Sequence, residues 1–274
     1  MTSLVSWIGV DSRAPASVYL ASDSRISWGN KLTWDYGRKL FASRNYPEIL
    51  GYFGDVLFPS QVLGQLMDLI DSDSLFGVED SPDDKWAKVL SIVQRSFEGY
   101  PDEESRPFSI VYCTREGSGM ASIFHMSTLS WNPGEGWTDQ RWLELPKQSD
   151  VIAVFGSGGD AVDKWYSYWS RTRQSGGTSR SVFSAFCDAL QSGEDERSGG
   201  SPQLVGVYRQ GAAESFGVIY EGKRYLLGLP VNESRNLDAI EWRNGLFERC
   251  DWRTMKPLEG AQRHSRPRGL GKAL

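Results

Sequence analysis

Histidine is almost missing from this chain, with only His125 and His264 in 274 residues. An imidazole-based triad or metal site would have to be built on one of them, yet His125 lies in an apolar alternating segment and His264 in a basic tail. Cysteine is scarce as well. Cys113, Cys187 and Cys250 are odd in number, widely spaced and without a C-x-x-C pair, which argues against a disulfide framework or a thiolate zinc site and fits free thiols in a reducing compartment. No stretch approaches the roughly 18 apolar residues of a membrane helix, and Asp11 and Arg13 break the first apolar run where a secretory signal would need continuity. The chain therefore reads as cytoplasmic, with no membrane partner. An excess of positive charge is lacking too: 30 Lys+Arg against 35 Asp+Glu leave a net charge of −5, which argues against nucleic acid as a partner. The phosphate-binding pattern G-x-x-x-x-G-K-[ST] is absent, so any ATP dependence would come from a separate unfoldase, and neither cofactor nor metal is expected.

Apolar residues make up 39% of the chain and aromatic residues 12%, enough to build a sizeable core. Residues 4–10 and 18–22 read as strands joined by a hairpin loop over 11–15, and further strands are expected near 38–42 and 49–53. Helical spacing follows in Val62, Leu63, Leu66, Met67 and Ile70, and again in Trp86, Val89, Leu90, Val93 and Phe97. Between these helices, residues 68–84 hold seven acids and no base, which reads as a solvated loop with acids at the start of the next helix. Strands are predicted again at 107–114, 119–126 and 151–155, helices at 160–172 and 179–191, and strands at 203–209 and 215–228. The order of strands, two helices, strands, two helices and strands predicts an α+β protein: a four-layer αββα sandwich of two antiparallel sheets flanked by helices. From Arg253 onward six bases (Arg253, Lys256, Arg263, Arg266, Arg268, Lys272) face one acid, Glu259, so the expectation is one domain over 1–252 and a flexible basic tail over 253–274.

The residue types at the head of the chain suggest chemistry. An initiator Met before a small residue such as Thr2 is normally removed, which leaves a free amine on a hydroxyl residue. An α-amine with a pKa of about 7.7–8 accepts a hydroxyl proton near neutral pH, so the pair is a nucleophile with its own base and needs no histidine. The second strand runs into Ala21-Ser22-Asp23-Ser24-Arg25, and Lys39 follows Asp23 by sixteen residues. A buried Asp23–Lys39 pair would hold a cation near the terminal amine and keep that amine unprotonated by like-charge repulsion, while the aspartate offsets the cost of burying the ammonium.

Ala21–Arg25, Arg38-Lys39-Leu40-Phe41 and Gly51-Tyr52-Phe53-Gly54-Asp55 resemble the opening of proteasome β-type subunits, which are N-terminal-nucleophile (Ntn) hydrolases, here of the bacterial proteasome-related type. The resemblance continues in Gly156-Ser157-Gly158-Gly159 and in Asp195-Glu196-Arg197-Ser198-Gly199-Gly200. It implies Thr2 as nucleophile, Asp23 and Lys39 as the supporting ion pair, and Ser157, Asp195 and Ser198 as the polar group that orients the amine. A backbone N–H near Gly54 would resemble the oxyanion donor, and Ile26, Phe41, Tyr52 and Val56 fall near the positions that shape the first specificity pocket, which suggests an apolar residue before the cut. The interval from Thr2 to Asp23 is longer than the family's, and an extended first hairpin loop around Arg13–Ala16 is the expected reason.

The resemblance thus implies a threonine-type endopeptidase acting on peptides or unfolded protein inside a homo-oligomeric ring, with a separate ATP-dependent unfoldase as a possible partner. Two rivals stay open: an Ntn amidase for a small-molecule amide, and a non-catalytic proteasome-like scaffold or binding subunit, the latter favoured if Met1 is retained. Trp131, Trp137 and Trp142, in what reads as a loop over 130–145, suit an apolar cluster beneath a hairpin better than a contact surface.

Overall fold

The computed structural model of the chain describes residues 2–28, 32–101, 106–142, 144–171, 176–232, 237–263 and 266. His264, Arg268 and Lys272 lie outside the described residues. The first half holds β1 (Leu4–Val10), β2 (Pro15–Ser22), β3 (Ile26–Trp28), β4 (Leu32–Trp34), β5 (Leu40–Ala42), β6 (Glu48–Gly54), α1 (Leu57–Asp71) and α2 (Pro82–Phe97). Then come β7 (Phe108–Glu116), β8 (Ile123–Asn132), β9 (Gly136–Trp142), β10 (Asp150–Phe155), α3 (Gly159–Ser170) and α4 (Ser179–Ser192). The chain continues through β11 (Gln203–Tyr208), β12 (Ala213–Ser215), β13 (Gly217–Tyr220), β14 (Lys223–Leu226), β15 (Leu229–Pro230), β16 (Trp242–Asn244) and β17 (Arg249–Cys250).

The molecule is a mixed α/β structure. Its first sheet has the order β10-β1-β2-β11-β12 and its second β5-β6-β7-β8-β9, both antiparallel throughout. Alternation along the strands explains how they pack. On β1 and β2, Leu4, Ile8, Val18 and Leu20 join Ile49, Val111 and Cys113 of the second sheet in one apolar cluster. Val5, Trp7, Tyr19 and Ala21 point the other way, into a cluster with Val162 of α3 and Val182, Phe183 and Phe186 of α4. On the second sheet, Leu50, Tyr52, Ile110 and Tyr112 meet Val62, Leu66, Trp86 and Val89 of α1 and α2. Central strands buried on both faces have no polar side to show, which is why their sequences read as continuous apolar runs.

The helices start and stop on recognisable chemistry. Ser81 and Asp84 form a reciprocal capping box at the N-terminus of α2, with Pro82 in its first turn and Asp83 and Asp84 at the positive end of the dipole. Helix α4 begins at Thr178, whose side chain accepts from the Ser181 N–H, and ends at Gly193 in the left-handed region. All residues from Arg180 to Leu190 of this helix are buried.

The burial of α4 has a cause that the sequence reading did not include: a third sheet. Its order is β15-β14-β13-β16-β17, with β13 and β16 parallel, and Val218, Phe216 and Phe247 from this region join the α4 cluster. The single strand expected at 215–228 is instead the end of β12 and the β13–β14 hairpin, turned at Glu221 and Gly222, both with positive φ. The loop expected at 130–145 is mostly the β8–β9 hairpin, and Trp131 and Trp137 pack on Phe97 and Phe108. Within 253–274, Arg253 pairs with Asp238, Leu258 N–H donates to Arg249 O, and Arg266 pairs with the buried Asp188, so these parts of the expected tail are tied to the body.

Candidate active site

The head of β1 is held by its neighbours on three sides. Leu4 pairs with Ser22 and with Phe155, so Thr2 and Ser3 extend from β1 between the ends of β2 and β10. The paired run from Leu4↔Ser22 to Val10↔Pro15 takes up the long interval between Thr2 and Asp23; the loop that joins the strands covers only residues 11–14, so strand length rather than an extended loop accounts for it. Thr2 is fully buried, and its Oγ1 has no hydrogen-bond partner among the described residues. A buried hydroxyl without a partner costs about 1–3 kcal/mol, so its presence here needs a reason.

Asp23 and Lys39 meet as the sixteen-residue spacing suggested. Lys39 Nζ lies 2.7 Å from Asp23 Oδ1, and both side chains are fully buried. The same Oδ1 accepts the Ser3 N–H at 3.1 Å, while Oδ2 accepts the Arg25 N–H at 3.1 Å and the Gly199 N–H at 3.0 Å. One carboxylate thus joins the head of β1, the ammonium and the Ser198–Gly199 turn. Burial holds the Lys39 ammonium below the usual lysine range, against the opposing attraction of Asp23.

The second polar group forms on the other side of Ser3. Ser157 Oγ and Ser198 Oγ each donate to Asp195 Oδ2 at 2.7 Å, and Ser3 Oγ donates to Ser198 Oγ at 2.7 Å. Burial works upward on the Asp195 carboxyl, but the hydrogen bonds from Ser198, Ser157 and the Arg197 N–H outweigh it and hold the group below the usual carboxylate range. Two glycines make this approach possible. A Cβ on Gly156, whose φ is +85°, would stand 1.7 Å from Thr2 O, and one on Gly158 would stand 1.8 Å from Ser3 Oγ. The G-S-G-G segment is therefore a seat for the backbone at the head of β1.

Gly54 ends β6 with φ +95°, where a Cβ would stand 2.5 Å from Pro107 O, so the turn into α1 requires glycine. Phe41 and Tyr52 are almost closed to solvent in the cluster under α1 and α2, with Tyr52 OH donating to Arg38 O at 3.0 Å. Ile26 is buried on β3 and Val56 is half-buried at the start of α1. Of the segment 68–84 expected as a solvated loop, residues 68–71 belong to α1 and 82–84 to α2, and two of its acids are engaged: Asp71 accepts from Ser43, and Asp80 pairs with Lys88.

Three contributors escaped the sequence reading. Ser3 links the nucleophile candidate to Asp23 and Ser198. Arg25 forms a two-bond pair with Asp35 and donates to Glu196 O, clamping the Ser198 turn to the β3–β4 segment. Gln203, fully buried, bonds the backbones around both Asp23 and Lys39. A polar residue opening the otherwise apolar Gln203–Tyr208 was the one available signal.

No family model matches the chain, and no curated protein matches it by sequence. Among solved structures it is similar to the eukaryotic HslV of Trypanosoma brucei, at 12% identity and a TM-score of 0.46, over 75% of this chain and 99% of that one. A likeness of that size assigns neither an activity nor a residue's role. Among the described residues, no helix is long and apolar enough to cross a membrane.

Proposed function

We propose that the chain is a threonine-type peptidase with a four-layer Ntn hydrolase architecture, in which Thr2 becomes the first residue once Met1 is removed. The observation that carries this reading is the convergence on the head of β1 of a fully buried Asp23–Lys39 pair and of the Ser157–Asp195–Ser198 group. Core packing has no need of a buried ammonium, a threonine hydroxyl with no partner among the described residues and a carboxylate with two serine donors in one place.

In the proposed reaction, Thr2 Oγ1 attacks a peptide carbonyl and its proton passes to the α-amine. Lys39, charged and paired with Asp23, discourages protonation of that amine beforehand, and Ser157, Asp195 and Ser198 hold it in orientation. The role of oxyanion donor is assigned, by the resemblance, to a backbone N–H near Gly54. The amine then returns the proton to the leaving nitrogen, the peptide bond breaks, and water hydrolyses the ester left on Thr2. Of the four residues expected to favour an apolar side chain before the cut, only Val56 is half-buried rather than buried, and it is assigned that role first. A cytoplasmic setting, a homo-oligomeric ring around the sites and delivery of unfolded chains by a separate unfoldase belong to the same reading.

The test is intact-mass analysis of the purified protein together with hydrolysis of a fluorogenic peptide panel by wild type and Thr2→Ala. The reading expects loss of Met1 in wild type, turnover of at least one peptide, and none in Thr2→Ala at unchanged fold and assembly. Retained turnover in Thr2→Ala, or a Met1 that stays on an active protein, contradicts it.

A further inference from the structure

Asp23 and Lys39 belong to different sheets: Asp23 follows β2 of the first, and Lys39 precedes β5 of the second. The chain between them contains the β3–β4 hairpin, where Trp28, Leu32, Trp34 and Tyr36 are all exposed. These exposed side chains do not tie the two charges together; the bond from Gly37 N–H to Ser24 O and the Arg25–Asp35 pair close the segment at its base. Gln203, the first residue of β11 and the register partner of Ser22, adds a tie that reaches the residues carrying both charges. Its Nε2 donates to Asp23 O at 3.0 Å and to Gly37 O at 2.8 Å, and its Oε1 accepts the Lys39 N–H at 3.1 Å. The amide cannot face the other way, because a flip would set its oxygen against two carbonyl oxygens and its nitrogen against an N–H.

We infer that Gln203 is a positioning residue of the candidate site, which fixes the backbones at Asp23 and Lys39 so that the ammonium stays on Asp23 beside the head of β1. Its hydrogen bonds go to the backbones of the two segments and to Ser24 Oγ, and it acts through the segments it joins. The inference rests on the peptidase reading for its purpose, but the geometric claim can be tested separately. Losing this amide takes a partner from three buried backbone groups and so lowers stability as well, while a displacement of about 1 Å lowers a rate by about 10²-fold.

The experiment uses Gln203→Met, which keeps the length without the hydrogen bonds, and Gln203→Glu. A neutral carboxyl at that place donates one hydrogen bond and accepts another, whereas an ionised one donates none. Burial against two carbonyl oxygens raises the pKa of the introduced carboxyl. The first readout is acylation of lysines by an amine reagent, followed by peptide mass analysis. In Gln203→Met, Lys39 is expected to react at least about 10-fold faster than in wild type. Lys85, whose ammonium is bonded to the buried Glu48 elsewhere in the molecule, should keep its rate. The second readout is the rate of Thr2 modification by an epoxyketone as a function of pH. It should fall about 10²-fold in Gln203→Met, and in Gln203→Glu its ratio to wild type should decline as pH rises.

Unchanged protection of Lys39 in Gln203→Met overturns the positioning role, as does a Gln203→Glu ratio that is flat with pH. A parallel rise at Lys85 makes the residue merely structural and overturns it as well. Failure of wild type to react at Thr2 overturns the peptidase reading instead, and the Lys39 readout then still decides the role of Gln203.

Discussion

Replacing Gly158 by alanine isolates one steric contact at the candidate site. Gly158 has φ −85° and ψ 8°, a conformation open to alanine, so the substitution carries no backbone strain. The added methyl, however, would lie 1.8 Å from Ser3 Oγ, 3.0 Å from Ser198 Oγ and 3.2 Å from Asp195 Oδ2. Ser3 Oγ must rotate away and give up its 2.7 Å bond to Ser198, while the other two atoms must yield by tenths of an ångström. The lost hydrogen bond costs about 1–3 kcal/mol and the crowding a further 1–3 kcal/mol or so. The reduced entropy of the unfolded chain returns about 0.4–1 kcal/mol, which leaves a net destabilisation of about 3 kcal/mol. Ser3→Ala alone removes the hydroxyl and should cost about 1 kcal/mol. In that background the methyl meets no oxygen at 1.8 Å, so Gly158→Ala should cost at most about 1 kcal/mol, a coupling of about 2 kcal/mol between the two positions. Urea denaturation of wild type, the two single variants and the double variant measures this cycle. Additive effects within about 0.5 kcal/mol would show that Ser3 does not sit against Gly158, and the proposed seat for the head of β1 would be wrong.

Lys39→Met should destabilise the protein by about 3 kcal/mol, the low end of the cost of breaking a buried pair, because Asp23 keeps backbone donors from Ser3, Arg25 and Gly199. Burial lowers the folded-state pKa of Lys39, so the unfolded chain binds more protons below the free-lysine pKa. Wild-type stability relative to Lys39→Met should therefore rise with pH through the window ending near 10.5, as paired melting curves can establish; a difference that falls over that window contradicts the assignment. Asp195, held below the usual carboxylate range, stays ionised well into acid. The acid limb of the peptidase pH–rate profile should then report the Thr2 amine, below the roughly 7.7–8 of a free α-amine because of the Lys39 charge, and a limb near the carboxylate range would assign the base to another group.

Most elements were legible because burial imposes periodicity. The α1 and α2 stripes leave a helical spacing, and the doubly buried β1, β2, β6 and β7 leave continuous apolar runs. The β3–β4 hairpin left none, since its apolar residues other than Ile26 are exposed rather than packed. The third sheet was missed because β15 and β17 span two residues each and β16 three, too short for any alternation to register. At the site, charged and polar residues were legible where their types are chemically unusual together, as with Asp23 and Lys39. Gln203 and Ser3 act through backbone groups, and nothing about a lone Gln or Ser in sequence shows which main-chain atoms lie opposite.

The proposed reaction depends on Thr2 acting as attacker and base in one residue. An epoxyketone reports on both functions at once, because it joins to the hydroxyl and the free amine together. Treated wild-type protein should carry one stable adduct on the peptide that begins at Thr2, absent in Thr2→Ala. An adduct elsewhere, or none on a chain whose first residue is confirmed as Thr2, would contradict the account.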